Sequence, residues 1–459
     1  MTAPVLLWLR QDLRLSDQAA LLAATQEGPV VPVYILDDET PGRWRMGGAS
    51  RWWLHHSLAA LDAALREHGS RLILRRGRCA DELAKLAAEI GAGRVHALSH
   101  YEPWWQAAER AVAGKLDLAL HDGSLLLPPG SVTTGSGGLY RIYTPFWRAL
   151  NEHMPPPPPS RAPSKIEGPS RWPSSDSLGD WGLLPEKPNW ASGFADDWTP
   201  GEAAARERVA DFVDQAEFYP EGRDRPSEES TSRLSAHLHF GEVSPAYVWH
   251  RLDKADGDTS IFRKELAWRD YAHTQIVSLP GYGEENARAA FDKLAWRDLR
   301  TARADFAAWK QGRTGYPIVD AGMRQLWATG WMHNRARMIA ASFLIKHLLI
   351  DWRHGARWFW DTLVDADYAN NSVNWQWVAG SGVDANMFSR IMAPLTQSEK
   401  FDAAGYIRQW VPELAGLNDT QIHDPDAHGV RPRAYPAKII GHREARERAL
   451  SAYRHIKGD

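Results

Sequence analysis

The chain has 459 residues, is 44% hydrophobic and 24% charged, and carries a net charge of −3, the balance of an ordinary soluble protein long enough for two domains. Its single cysteine, Cys79, excludes an internal disulfide and a cysteine-ligated metal cluster and fits a reducing cytoplasm. No run approaches the roughly 20 apolar residues of a membrane span, and the short apolar run near the N-terminus has no basic region before it, as a signal peptide would. A cytoplasmic protein without a membrane partner is expected. Such balanced charge also excludes a protein basic all over, so a nucleic-acid partner would need a local basic patch.

From the N-terminus, apolar runs alternate with helical periods. Val5–Leu9, Val30–Leu36, Arg71–Leu74, Val95–Leu98 and Leu118–His121 read as buried strands, with helices at Gln18–Thr25, Ser50–His68, Ala80–Ile90 and Pro103–Ala113. This repetition predicts a doubly wound, parallel-sheet α/β domain over residues 1–130, with ligands at the carboxyl ends of its strands. Arg10-Gln11-Asp12-Leu13-Arg14 lies at such an end. No Gly-x-Gly-x-x-Gly occurs there, which argues against a conventional dinucleotide site.

Residues 131–200 change character. Pro155–Pro159 are consecutive prolines ahead of a Ser/Pro/Gly/Trp-rich segment without periodicity, and proline fixes φ and lacks an amide hydrogen, so this is an interdomain connector. Trp172, Trp181, Trp190 and Trp198 should pin it to a surface. Residues 201–459 show almost no strand pattern; helical periods recur at 202–216, 231–239, 244–253, 260–277, 302–310, 317–329, 331–350, 355–364, 386–391 and 404–411, predicting one all-helical domain. An exposed charged helix is expected over 441–457.

The residues with chemistry beyond packing lie in that second half. At helical spacing Trp331, Asn334, Met338 and Ala341 share one face, an aromatic, an amide and a thioether together. Residues 323–357 hold six Lys/Arg and one Asp, a candidate basic patch, although alone this segment reads as an amphipathic core helix with solvated arginines. Upstream, Tyr219, Arg223 and Thr231-Ser232-Arg233-Leu234-Ser235 precede and open a helix. Thr231 or Ser232 is expected to cap it, leaving amides, hydroxyls and Arg233 converging where a phosphate could sit. Glu265 and Trp268 share a helical face, with Arg269 one residue round; Glu and Arg four apart are usually a surface pair. Gly312-Arg313-Thr314-Gly315-Tyr316-Pro317-Ile318-Val319-Asp320 is a glycine-bracketed turn into a helix.

Taken in order, Arg10–Arg14, Thr231–Ser235, Gly315–Asp320, Trp331-Met332-His333-Asn334-Arg335, Arg337-Met338, Trp375-Gln376-Trp377 and Gln397-Ser398-Glu399-Lys400-Phe401-Asp402 resemble the DNA photolyase/cryptochrome family. The likeness spans nearly the whole chain and is weakest across 150–200.

That resemblance implies FAD bound in a U shape within the helical domain. Tyr219, Thr231, Ser232, Arg233, Leu234 and Ser235 would hold the phosphates, and Phe262 and Arg269 would belong to the cofactor pocket. Arg337 and Asp365 would flank the isoalloxazine, with Asp367 in the same ring-binding loop. Asn371 would face flavin N5, where an amide can hydrogen-bond either protonation state. The substrate implied is a cyclobutane pyrimidine dimer flipped out of UV-damaged DNA, at a cost reduced by its poor stacking and pairing. Trp268 and Trp377 would wall the pocket, Glu265 and Asn334 would bond the pyrimidine edges, and Met338 would pack beside the dimer. Relatives that repair the 6–4 photoproduct carry histidine where this chain has Asn334 and Met338. Arg223, Arg335, Gln397 and the 323–357 patch would contact the DNA. Photoexcited FADH⁻ would donate an electron to the dimer and recover it after ring cleavage, without metal or nucleophile.

Among the 23 tryptophans, most of which must be core, Trp375, Trp352 and Trp296 match the family's relay from the surface to oxidised flavin. Two departures concern the antenna pigment of the α/β domain. Trp44 and Trp105 stand where pterin-binding relatives use histidine and glutamate, which leaves open methenyltetrahydrofolate held differently, a deazaflavin, another chromophore or none. Phe262 replaces a tryptophan common in the cofactor pocket. The resemblance implies a repair enzyme, expected to be a monomer with no obligate protein partner. The alternative is a cryptochrome-like blue-light receptor, disfavoured by the intact set Glu265, Trp268, Asn334, Met338 and Trp377 and by the absence of a long tail. A dark flavin oxidoreductase has no glycine motif to support it.

Overall fold

The computed structural model describes residues 2–385 and 387–457. It divides into two compact units, one of 1–217, 232–280 and 364–369, the other of 218–231, 281–363 and 370–459.

In the first unit the apolar runs form an all-parallel sheet of β1 (Val5–Leu9), β2 (Val30–Leu36), β3 (Ile73–Arg76), β4 (Arg94–Leu98) and β5 (Asp117–His121), in the order β3-β2-β1-β4-β5. Every residue of β1 and β2 is buried, as expected when crossover helices cover both faces. The intervening helices are Ala19–Glu27, Gly48–Glu67, Cys79–Ile90 and Pro103–Ala113. β3 starts two residues later than the apolar run suggests, because pairing of Ile73 with Val33 sets its register. Strand order reverses between β1 and β4, so Arg10–Arg14 lies at the topological switch point. Arg10 is spent there on structure: it is buried, pairs with Glu109 at 2.7 Å and lies over the Trp8 ring at 4.1 Å.

The proline-rich segment is pinned as expected. Trp181 packs on Tyr34, Trp198 on Trp53, Trp190 on Phe194, and Arg71 lies over Trp172. The unit also contains α-helices Tyr143–Asn151, Glu202–Asp214, Ser235–His239, Pro245–Arg251 and Ser260–Ser278 and a short helical turn at Phe194–Asp197.

The second unit is helical, and it corrects three expectations. The period over 331–350 is not one helix. Asn334–Ser342 is α-helical, its first amides served by His333, whose Nδ1 accepts from Arg335 N at 3.1 Å, and it passes into a π-turn at Phe343–His347. Leu349 then takes a positive φ of 53° and Asp351 caps a new helix, Trp352–Thr362. Trp331 therefore precedes the helix that carries Asn334, Met338 and Ala341 instead of sharing its face. Residues 387–391 make turns, not a helix; Asn386 lies outside the described residues. The terminal helix His442–Lys457 forms, but it is docked: Ala445 and Ala449 are buried, and the Arg448 guanidinium donates to the His347 carbonyl at 2.5 Å. Among the described residues no helix is long and apolar enough to cross a membrane.

Candidate functional site

Helix Ser260–Ser278 places several predicted side chains of the first unit. Phe262 is buried against Phe212 at 4.4 Å, Glu265 is exposed and Trp268 half-buried. Arg269 does not form the surface pair with Glu265 that the spacing suggests; its guanidinium donates to the carbonyls of Ser124 and Leu238 at 2.6 and 3.2 Å. Next to it, burial lifts the Asp270 carboxyl to about 7 even though the amides of Leu126 and Leu127 donate to it.

The phosphate-cradle reading of Thr231–Ser235 changes in detail. The helix begins only at Ser235, so neither Thr231 nor Ser232 caps it; Ser232 Oγ accepts instead from Leu234 N at 3.3 Å. Arg233 takes a left-handed φ of 50° and its guanidinium sits 3.6 Å from Asp197, beside the Trp198 ring. Leu234 is buried and Ser235 exposed. What remains is a turn with accessible hydroxyls, not a helix N-terminus.

Asp365 and Asp367 are both buried in this unit. Around Asp367 the fold gathers groups that the linear sequence gives no reason to connect. Its Oδ2 lies 3.5 Å from His239 Nδ1 and 3.8 Å from His273 Nε2, and ligand atoms of Glu102, His273 and Asp367 fall within 4.8 Å of one another. Burial opposes ionisation of Asp367, but His273 and His239 outweigh it and hold the carboxyl well below the usual carboxylate range. Burial pushes His273 down to about 4 and raises Glu102. Trp44 and Trp105, the antenna departures, are core residues: Trp44 meets Tyr368 edge-on at 4.9 Å, and Trp105 Nε1 donates to Gln11 Oε1 at 3.1 Å.

In the second unit, Tyr219 is buried with the Arg223 guanidinium 5.5 Å from its ring. Asp224 lies 3.8 Å from Arg223 and 2.5 Å from Arg335, and Arg335 stacks on Phe401 at 4.3 Å and approaches Met338 Sδ at 3.8 Å. Asn334 is exposed, with Arg335, Met338, Trp377 and Gln397 half-buried. Arg337 donates from Nε to the Met332 carbonyl at 2.7 Å.

The basic stretch 323–357 is not a continuous cationic surface. Arg324, Arg335 and Arg353 pair with Glu413, Asp224 and Asp351. Lys346 is buried against the Arg390 carbonyl, and burial draws its amine down to about 7. Formal charge in the stretch overstated the field because two of the compensating carboxylates, Glu413 and Asp224, come from elsewhere in the chain.

Asn371 and Trp375 share the helix Tyr368–Ala379 with Trp377. Asn371 Nδ2 donates to the Ala356 carbonyl at 3.1 Å, fixing the amide and turning Oδ1 away from that bond. Trp375 and Trp352 are buried and Trp296 is half-buried. Trp352 Nε1 donates to Asn286 Oδ1 at 3.0 Å, while Trp375 meets Phe359 and Trp309 edge-on at 5.0 and 6.5 Å. Neither Asn286 nor Phe359 carries a sequence signal of its own; only three-dimensional proximity identifies them.

The chain is similar to known proteins in sequence and fold. Residues 5–164 match the family model described as DNA photolyase, and residues 262–455 match the FAD binding domain of DNA photolyase. A deoxyribodipyrimidine photo-lyase of Agrobacterium fabrum is 50% identical over 99% of this chain and 98% of its own length. A bacterial class III photolyase from Agrobacterium tumefaciens superposes with a TM-score of 0.94 at 48% identity, covering 100% of this chain and 98% of that one. A cryptochrome from Synechocystis superposes with a TM-score of 0.87 at 26% identity, covering 98% and 99%. The chain belongs to the DNA photolyase/cryptochrome family and carries that family's FAD-binding domain.

Proposed function

We propose that the protein is a light-dependent deoxyribodipyrimidine photo-lyase that repairs cyclobutane pyrimidine dimers in UV-damaged DNA, acting as a monomer in the cytoplasm. The observation that carries the reading is helix Asn334–Ser342, which presents Asn334, Arg335 and Met338 together at the surface with Arg335 held by Asp224. A light receptor with no DNA lesion to bind has no need of an amide, a thioether and an oriented guanidinium on one accessible turn.

FAD fits the residues present. The pinned Asn371 amide leaves its oxygen to accept from a protonated N5, and the phosphates would be taken by Tyr219 and the Thr231–Ser235 turn. Asp365, Asp367 and Arg337 would serve the ring, and Phe262 and Arg269 would line the cofactor pocket. When bound, reduced FAD supplies the light-driven electron that splits the dimer and is then returned. The chain's own residues do the rest. Trp268 and Trp377 provide apolar faces on which the flipped pyrimidines stack, worth roughly 1–3 kcal/mol per base. Glu265 and Asn334 bond the pyrimidine edges, Met338 fills the space beside them, and Arg223, Arg335 and Gln397 take the flanking backbone. Trp375, Trp352 and Trp296 keep the cofactor reducible from the surface.

The test is repair of thymine-dimer and 6–4 substrates by purified protein in light and darkness, alongside its absorption spectrum, which also reports any antenna pigment. Light-dependent repair of the thymine dimer only is expected. No repair of either substrate by flavin-loaded protein would favour the receptor reading.

A further inference from the structure

The indole of Trp268 is held in an unusual way. Its Nε1 is buried and makes no hydrogen bond, so no polar contact fixes which way the ring faces. Packing must do it. Two tyrosine rings supply that packing: Tyr143 at 4.9 Å, tilted by 58°, and Tyr271 at 5.2 Å, tilted by 50°. The two tyrosines also meet each other edge-on at 5.6 Å, so the three rings form one closed cluster.

Tyr143 belongs not to the helix that carries Trp268 but to the connector, at the start of helix Tyr143–Asn151. Its hydroxyl donates to the Lys264 carbonyl at 2.5 Å, the residue immediately before Glu265. Two further bonds stitch the same piece of connector to the same helix: Tyr271 hydroxyl to the Arg141 carbonyl, and Gln275 amide to the Tyr140 carbonyl, each 2.8 Å. The connector is thus tied to helix Ser260–Ser278 at Tyr140, Arg141 and Tyr143, and the last of these also places its ring against Trp268. A passive linker would not need an aromatic ring and a hydroxyl aimed at the same helical turn.

We propose that Tyr143 is a positioning residue for substrate recognition, holding the Trp268 indole in the orientation that stacks on a pyrimidine dimer and setting the turn from which Glu265 projects. This rests on the assignment of Trp268 to the lesion pocket. An aromatic pair contributes about 0.5–1.5 kcal/mol beyond burial, which corresponds to a loss of up to about tenfold in affinity when the ring is removed. Because the contact acts through Trp268, the loss falls on dimer recognition and not on binding to the phosphate backbone.

The experiment compares Tyr143→Ala, Tyr143→Phe and Trp268→Ala in flavin-loaded protein, reading dissociation constants for dimer-containing and undamaged duplexes, their salt dependence, and KM against kcat under saturating light. Tyr143→Ala should weaken dimer binding several-fold to about tenfold, raise KM, and leave kcat, undamaged-DNA affinity and salt slope unchanged. Tyr143→Phe, which keeps the ring, should recover most of the loss. Should Tyr143→Ala not fold, Tyr143→Leu serves in its place. Equal losses on both DNAs, or no loss of discrimination while Trp268→Ala loses it, overturn the proposal. If Trp268→Ala itself leaves discrimination intact, the lesion-pocket assignment fails first.

Discussion

Gly355 and Trp375 are in direct contact: a Cβ on Gly355 would lie 2.2 Å from Cη2 of the Trp375 ring and 2.5 Å from Leu344 Cδ2. The glycine sits inside helix Trp352–Thr362, where alanine would be preferred on propensity alone, so its backbone is what the ring rests on. Gly355→Ala should displace Trp375, destabilise the protein by about 1–3 kcal/mol through overpacking, and slow photoreduction of oxidised flavin. Transient absorption and a urea titration read both. Unchanged photoreduction with an unchanged denaturation midpoint would remove Gly355 as the support.

Trp352 is fully enclosed, with its indole N–H bonded to Asn286. Phenylalanine fills most of the same space but is far harder to oxidise. Trp352→Phe is expected to abolish photoreduction in vitro and to leave repair by chemically pre-reduced enzyme largely intact. Normal photoreduction in this variant would mean that the relay runs elsewhere.

Asp224 neutralises the arginines proposed to contact DNA, lying between Arg223 and Arg335. Its carboxylate also repels a phosphate brought to the same place. Asp224→Asn removes one negative charge and should tighten binding to damaged and undamaged duplexes alike. The salt dependence should steepen by about 0.9 in log–log slope for each phosphate newly neutralised. If affinity falls, orienting the guanidiniums matters more than freeing them.

The Asn371 amide is locked by the Ala356 carbonyl. Asn371→Ala removes an acceptor proposed for N5–H and should destabilise the reduced cofactor by about 1 kcal/mol, making the flavin potential more negative. Spectroelectrochemistry on the bound flavin measures this directly, and a potential that does not move would place the amide away from N5.

His347 is buried with Nε2 2.8 Å from His442 Nδ1, and burial, with further pressure from His442, Lys346 and Arg448, drives it down to about 3. His442 is lowered too, by its own burial and by Arg446. A histidine neutral in the folded chain but protonated when unfolded binds its proton only in the unfolded state between those two values. Stability must therefore fall as pH drops from about 6.5 toward 3. His347→Gln should flatten this slope by at most about 1.4 kcal/mol per pH unit. Urea titrations between pH 4.5 and 7.5 read the difference; parallel slopes for both proteins would contradict it. Asp270 and Asp320, raised by burial to about 7 and 6, act in the opposite sense, so the comparison between proteins is more telling than either slope alone.

Much of the molecule is legible in its sequence. β1 and β2 could be bounded to the residue because their apolar runs are continuous and sharply punctuated, as fully buried parallel strands require. The ordered motifs identified the family, since residues held by one chemistry recur at recognisable spacing. Local signals failed where a competing local interaction ended an element. The 331–350 period is unbroken in sequence, yet His333 caps at one end and Leu349 reverses the chain at the other.

What the linear chain fixed, then, was the kind of elements and the kind of chemistry, because period and residue type are local properties. What only folding decided was partnership. That Asp224 takes Arg335, that Gly355 carries Trp375, that Tyr143 steadies Trp268 and that Asp367 sits among His239, His273 and Glu102 are pairings between distant segments. Long-range packing sets their distances, and with them the burial and electrostatics that determine each group's charge.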